Sequence, residues 1–259
     1  MINEQIDGGK AFDWGRTSAD YAKFRDIYPE EFYERIVKRG LCVNGQSVLD
    51  IGTGTGVLPR NMQKYGAKWT GIDIAENQIE QARRLSESMG IDYVCSPVED
   101  ADFPTNSFDV ITACQCFWYF EHEALVPKLC DILKDRGYFV PMEMEWLPFE
   151  DEIARKSEEL VLKYNPKWTG AGFKPHELYV PECYFERFKL VYHDEYVLPV
   201  RFTRESWNGR MKACRGVGAS LSEKETAEWE KEHLALLEKI APPEFDVKHF
   251  AAYAVLEKL

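Results

Sequence analysis

Short apolar runs alternate with segments of helical period through the first 146 residues of this chain. Runs at about 46–51, 68–73, 91–95, 108–114 and 137–146 have the length and β-branched content of buried strands. The segment after the first run reads as a helix to about Tyr65, with Pro59 in its early turns, where a missing N–H costs little. Residues 75–89 carry Ile79, Ala82, Leu85 and Met89 on one stripe, pair Glu80 with Arg84 one turn on, and end at Gly90. A further helix is expected over 121–134. Before the first strand lie a loosely ordered arm, residues 1–16, and two short helices over 17–39, broken near Tyr28-Pro29 and closed by Gly40. After Trp146 the rhythm changes to a helix at 149–164, a Gly/Pro-rich loop at 165–175 and a strand at 188–200. Helices near 203–215 and 222–240, a break at Pro242-Pro243 and a last strand at 247–257 complete the chain. Strands alternating with helices predict an α/β fold with a doubly wound, mostly parallel sheet.

The first strand runs into Asp50-Ile51-Gly52-Thr53-Gly54-Thr55-Gly56, and the second ends at Asp73-Ile74. Glycines let backbone amides approach a ligand where a Cβ would clash. The following helix aims unpaired N–H groups at the same place. Asp73 lies 21 residues past Gly52, at a strand end, where a carboxylate can bond ribose hydroxyls. The pattern is that of a nucleoside-cofactor site. A phosphate-cradling P-loop needs Gly-Lys-Ser/Thr, but Val57-Leu58-Pro59 follows Gly56. A nicotinamide fingerprint wants G-x-G-x-x-G, and its last position here is Val57. A plain strand-to-helix turn does not need three alternating glycines.

With Asp50, Gly52, Gly54, Gly56, Asp73, Val98-Glu99-Asp100 and Phe108–Cys114 in order, residues 17–146 resemble the class I S-adenosylmethionine (SAM)-dependent methyltransferases of small-molecule type. The resemblance implies a Rossmann-like methyltransferase fold with seven strands, the last two a hairpin-like pair at the sheet edge, and helical lid insertions. It implies SAM as cofactor and S-adenosylhomocysteine as product. Three parts are expected: an N-terminal helical cap at 1–40, a SAM-binding core at 41–147, and a part at 148–259 that completes the sheet. A helical substrate lid is expected within that last part, at about 199–246.

The same resemblance distributes roles. Asp73 would bind the ribose hydroxyls, Ile74 would flank the adenine, and Val98 and Glu99 would meet its edge. Main-chain groups of Gly52, Thr53, Gly54 and Gly56 would touch the methionine moiety, whose amino group Asp50 would orient. Gln115 follows the fourth strand into the same crevice, and Gln78 either faces the ribose or is a solvated helix residue. Tyr21, Arg25 and Tyr28-Pro29 resemble the Y-x-x-x-R-x-x-Y-P opening of many such enzymes, which places Tyr21 at the cofactor's carboxylate end.

Composition narrows the acceptor only in part. A net charge of −12 argues against a nucleic-acid partner, because phosphate neutralisation needs a basic face. Seven scattered cysteines without a C-x-x-C pair suggest neither a disulfide framework nor a zinc site. No apolar run approaches the ~20 residues of a membrane span, and the N-terminus lacks a signal-peptide pattern, so a cytoplasmic enzyme is expected. Trp118 and Tyr119 sit where an aromatic wall would face a sulfonium, whereas Phe117 reads as core. His122, Glu143 and Glu145 are the candidate general bases. Glu143 and Glu145 share one strand face and suit a cationic acceptor. Arg204, Arg210 and Arg215, in a segment that faintly resembles the lid of trans-aconitate-methyltransferase-like enzymes, suit an anionic one. The expectation is a methyltransferase acting on a small molecule, with a non-catalytic SAM-binding module or an NAD-linked oxidoreductase as alternatives.

Overall fold

The computed structural model of the protein describes residues 6–9, 12–13 and 22–259. One sheet runs in the order β3-β2-β1-β4-β5-β7-β6. Its strands are β1 Ser47–Ile51, β2 Lys68–Asp73, β3 Asp92–Cys95, β4 Phe108–Cys114, β5 Leu133–Trp146, β6 Phe188–Thr203 and β7 Glu244–Lys258. The helices are α1 Glu30–Val37, α2 Val57–Met62, α3 Glu76–Leu85, α4 His122–Ile132, α5 Glu152–Tyr164, α6 Arg204–Lys212 and α7 Glu223–Ile240. The first five strands pair in parallel. β7 runs against β5: Lys258 Nζ reaches Leu133 O at the start of β5, while the amide of Leu147, past its end, bonds Lys248 O. The amide of Leu259 on Arg187 O and that of Arg204 on Pro243 O fix the opposite sense for β6 and β7. The strand–helix rhythm thus predicts the parallel part, and the break in rhythm after Trp146 marks the antiparallel edge.

Local chemistry explains where the helices begin. Ser222 and Glu225 form a capping box at α7, Thr203 and Ser206 one at α6, and Asp151 accepts the Ala154 amide at the start of α5. One expected boundary moves. The helix expected to reach residue 134 stops at Ile132, and β5 begins at once. Phe108 pairs with Leu133 and Val110 with Tyr138, so five positions on β5 answer two on β4. The surplus residues include Arg136 at φ 63 and Gly137. Their turn-like composition masks a bulged strand.

The chain divides into two compact units. Tyr28–Met144, Glu177–Tyr196 and Ala251–Leu259 form a Rossmann-like unit, and residues 145–176 and 197–250 with the described residues before Tyr28 form a helical unit. The expected parts were contiguous in sequence; these are interleaved, because α1 and the halves of β6 and β7 belong with residues 41–144. In the Rossmann-like unit Leu49, Ile51, Ile72, Ile111 and Phe139 of the sheet pack with Leu125, Leu129 and Ile132 of α4. In the helical unit, aromatic contact joins Trp207 to Trp146 and Phe202, with centroids 5.7 and 4.9 Å apart.

A polar network runs through that second core. Trp207 Nε1 donates to Ser157 Oγ at 2.9 Å, and His233 lies with Nε2 2.9 Å from the same oxygen and Nδ1 2.8 Å from Asn208 Oδ1. Burial pushes the pKa of His233 down to about 3, and that of His249 likewise. An imidazole that protonates near 6.5 when unfolded but near 3 when folded contributes stability above pH 6.5 and loses it as pH falls toward 3. By pH 5 the loss is about 2 kcal/mol per histidine. Asp50, Asp73 and Glu158, whose pKa values burial raises, act in the opposite sense over this window. The comparison is therefore with His233→Gln: the stability difference between wild type and variant in urea unfolding should shrink by about 2 kcal/mol from pH 7.5 to 5. A constant difference would show that His233 is not neutral in the folded state.

Candidate active site

The glycine turn leaves β1 with Gly52 at φ 63, Gly54 at φ 55 and Gly56 at φ 73, all in the left-handed region that disfavours a side chain. Each also answers to a different neighbour. A Cβ on Gly52 would stand 2.7 Å from Cys116 Sγ, and one on Gly56 would run into the Tyr93 hydroxyl. The amide of Gly54 donates to Asp73 Oδ2 at 2.8 Å. The amide of Thr53 bonds Ile72 O at 3.0 Å, which fastens the turn to β2. Gly56 caps α2, whose first amides open toward the same turn.

Asp73 ends β2 with both oxygens engaged, since Oδ1 accepts the Ala75 amide at 2.9 Å. Burial pushes its pKa up, and the amides of Ala75, Gly54 and Ile74 pull it back. A carboxylate has about four acceptor sites, so capacity for further donors remains. Ile74 stands beside it, 57% exposed. Gln78, one turn into α3, is buried rather than solvated. Val98 is buried and Glu99 half-buried in the turn after β3.

Asp50 is buried beneath the turn, and its strand partner is Thr112 of β4. Thr112 Oγ1 donates to Asp50 Oδ1 at 2.7 Å. Burial raises the Asp50 pKa to about 7, against the hydroxyls of Thr112 and Thr53, which lower it.

Gln115, just past β4, sits at φ 62. Its amide bonds Met142 O at 2.9 Å and its Nε2 donates to Met144 O, so β5 holds it in a conformation that costs about 1–3 kcal/mol. Its Oε1 is buried without a hydrogen-bond partner. Cys114 Sγ lies 3.4 Å from Tyr28 OH, which brings the Tyr28-Pro29 opening to the end of β4. Trp118 is 40% exposed and stacks at a tilt on Tyr119, 5.7 Å away. Phe117 is core, as its position suggested. His122 Nδ1 is 3.1 Å from Tyr184 OH, its ring lies against Phe117, and burial lowers its pKa. Glu143 is buried on β5, next to the two residues that hold Gln115.

These residues belong to one unit; Glu145, Arg204, Arg210 and Arg215 belong to the other. Within the helical unit, Arg204 donates through Nε and one terminal nitrogen to Ala241 O at the end of α7. Arg210 is buried with its guanidinium 4.7 Å from the Trp146 ring centre. Arg215 forms an ion pair with buried Asp7 at 2.9 Å. Glu145 is half-buried near Glu158 and helps to raise the pKa of that carboxyl. Tyr21 lies outside the described residues. Sequence reasoning did not find Thr112, Tyr93 or Tyr184. Thr112 and Tyr93 are lone polar positions in strands, and only strand pairing brings them to Asp50 and Gly56.

The family model described as "Methyltransferase domain" matches residues 49–141, from the middle of β1 into β5. A ubiquinone biosynthesis O-methyltransferase of Chromobacterium violaceum is 30% identical over 179 residues, covering 65% of this chain and 75% of that protein. The chain belongs to the class I SAM-dependent methyltransferases. A ubiquinone biosynthesis O-methyltransferase of Bradyrhizobium diazoefficiens is 31% identical over 142 residues, and the match spans 55% of its length. Among solved structures, a candidate type II methyltransferase from Anaeromyxobacter dehalogenans superposes with TM-score 0.58 at 18% identity, over 89% of this chain and 96% of that one. The YcgJ protein of Bacillus subtilis gives 0.52 at 18% identity, over 88% and 98%. These likenesses speak for the methyltransferase fold. The family's cofactor is SAM, and the rim fits a nucleoside with a polar tail: a glycine turn that carries no Cβ atoms, spare acceptor capacity on Asp73 and the unpartnered Oε1 of Gln115.

The methyltransferase turn also depends on what lies behind it. Gly71 of β2 has no positive φ, yet a Cβ there would stand 2.8 Å from the Tyr93 ring and 2.9 Å from Thr53 Cγ2. Gly71→Ala should cost about 1–3 kcal/mol of stability by overpacking and weaken S-adenosylhomocysteine binding. Adding Tyr93→Val should recover at least half of the stability loss in urea unfolding. Additive losses in the double variant would break the assigned contact.

Proposed function

We propose that this methyltransferase moves the methyl group of SAM directly onto a hydroxyl of a small-molecule acceptor, at the carboxyl rim of β1, β2 and β4. The observation that carries the proposal is Asp73, which holds the glycine turn through Gly54 and its own strand end through Ala75. In this reading Asp73 takes the ribose hydroxyls, Ile74 and Val98 flank the adenine with Glu99 at its edge, and Gln78 supports that wall from α3. The backbone of Gly52–Gly56 with Thr53 lines the methionine tail. Asp50 receives its ammonium group, and Gln115 supplies the remaining acceptor. SAM, when bound, supplies a methyl carbon on a positively charged sulfur. The protein aligns the acceptor oxygen with that carbon, and alignment alone is worth about 7–11 kcal/mol.

An oxygen acceptor accords with the relatives' names as O-methyltransferases and with a carboxylate base near the rim. Glu143, buried on β5 beside the residues that fix Gln115, takes the hydroxyl proton as the carbon–oxygen bond forms. Trp118 and Tyr119 form the aromatic wall. Arg204 and Arg215 already serve Ala241 and Asp7, which favours an uncharged or cationic acceptor over an anionic one. No described helix is long and apolar enough to cross a membrane. The seven free thiols suit a reducing compartment, so we place the enzyme in the cytoplasm.

Calorimetric titration tests the cofactor. S-adenosylhomocysteine should bind and NAD should not, and Asp73→Ala should weaken the binding about 10- to 100-fold through loss of charged hydrogen bonds. Tight NAD binding with no response to S-adenosylhomocysteine would replace the reading with the oxidoreductase one. For the base, Glu143→Gln should lower kcat by about 10²–10⁴-fold in a screen of phenolic and alcoholic acceptors, with S-adenosylhomocysteine affinity kept within a few fold. Unchanged kcat would remove Glu143 from the chemistry.

A further inference from the structure

Asp50 poses a problem of its own. It is a carboxylate held almost entirely out of water, where an ionised group is costly unless donors or a counter-charge meet it. The groups that face it are two hydroxyls, of Thr112 on β4 and Thr53 in the turn, the thiols of Cys42 before β1 and Cys116 after β4, the Tyr93 phenol from β3, and the carboxylate of Asp73 from β2. Asp73 repels its charge. Cys116 directs its thiol to Ile51 O at 3.1 Å, and Tyr93 OH receives the Ser86 hydroxyl at 3.3 Å. Thr112 provides the short contact, with its hydroxyl 2.7 Å from Asp50 Oδ1 and 3.5 Å from Leu49 O. Asp50 and Thr112 are also register partners in the parallel pairing of β1 with β4. The sheet, rather than a loop, therefore sets the direction of this hydrogen bond.

We propose that Thr112 is a positioning residue that keeps the Asp50 carboxylate oriented and charged to receive the ammonium group of the cofactor's methionine tail. The proposal rests on the cofactor reading above. A donor hydroxyl favours the ionised acid, and a cationic ligand favours it further, so the two act on the same proton equilibrium. Asp50, with its pKa raised to about 7, loses a proton across the neutral range. Affinity for a ligand that carries the ammonium then rises with pH through this range. A ligand with the same nucleoside but no amino-acid tail does not share the effect, although it still senses Asp73.

The experiment compares S-adenosylhomocysteine with 5′-methylthioadenosine, which lacks the tail, by calorimetry from pH 5.5 to 8. For wild type, the ratio of the two affinities should rise with pH. Thr112→Val should shift the midpoint of that rise upward by about one pH unit, which weakens S-adenosylhomocysteine about fivefold at pH 7 and about tenfold at pH 5.5, below both midpoints. Binding of 5′-methylthioadenosine should stay within twofold, and Thr112→Ser should restore the wild-type profile. Asp50→Asn should flatten the ratio and stands in if Thr112→Val does not fold. Equal weakening of both ligands, an unmoved midpoint, or a pH-dependent ratio that survives in Asp50→Asn would overturn the role of Thr112. If wild type binds neither ligand, the cofactor reading falls instead.

Discussion

The rim of this sheet is organised by one carboxylate that accepts from two directions. Asp73 Oδ2 takes the Gly54 amide across from β1, and Oδ1 takes the Ala75 amide ahead of α3. A half-buried acid in such a place needs donors, and the chain supplies them from backbone rather than from side chains. The turn after β1 and the entry to α3 are thereby fixed relative to each other by one side chain. Without it, Gly54 would hold a left-handed conformation with no partner for its amide.

The close approach of that turn to the sheet follows from what is packed behind it. Tyr93 lies across Gly71 and beneath Gly56, and Cys116 lies against Gly52. The alternating glycines are thus as much a consequence of neighbours within the protein as of the ligand in front of them. A similar constraint acts at the end of β4. Gln115 is kept in an unfavourable conformation by two bonds to β5. The strain is consistent with a residue whose orientation matters more than its comfort.

The helical unit uses a different device. Its core mixes tryptophans with a satisfied polar network around Ser157 and His233, so α5, α6 and α7 meet through directional contacts as well as apolar ones. Buried polar groups that are fully paired specify a particular packing, because other arrangements leave them unpaired. The arginines of this unit take part in the same way. Arg204 closes the end of α7, Arg210 lies over Trp146, and Arg215 meets Asp7.

The run Val48–Gly56 followed by Gly71–Ile74, and the strand–helix rhythm around it, were enough to specify a parallel sheet, a nucleoside-type turn and the acid at the end of β2. They were legible because strand period, glycine spacing and strand-end position are local properties of the chain. The bulge in β5 was not, since its turn-like residues continue a strand only when β4 is alongside. Nor was the interleaving of the two units, which joins segments far apart in sequence. Thr112 opposite Asp50, Tyr93 beneath Gly56, Tyr184 on His122 and Asp7 on Arg215 came into view only with the folded chain. Each is a pairing between distant residues, and such pairings depend on strand register and side-chain direction, which no local pattern carries.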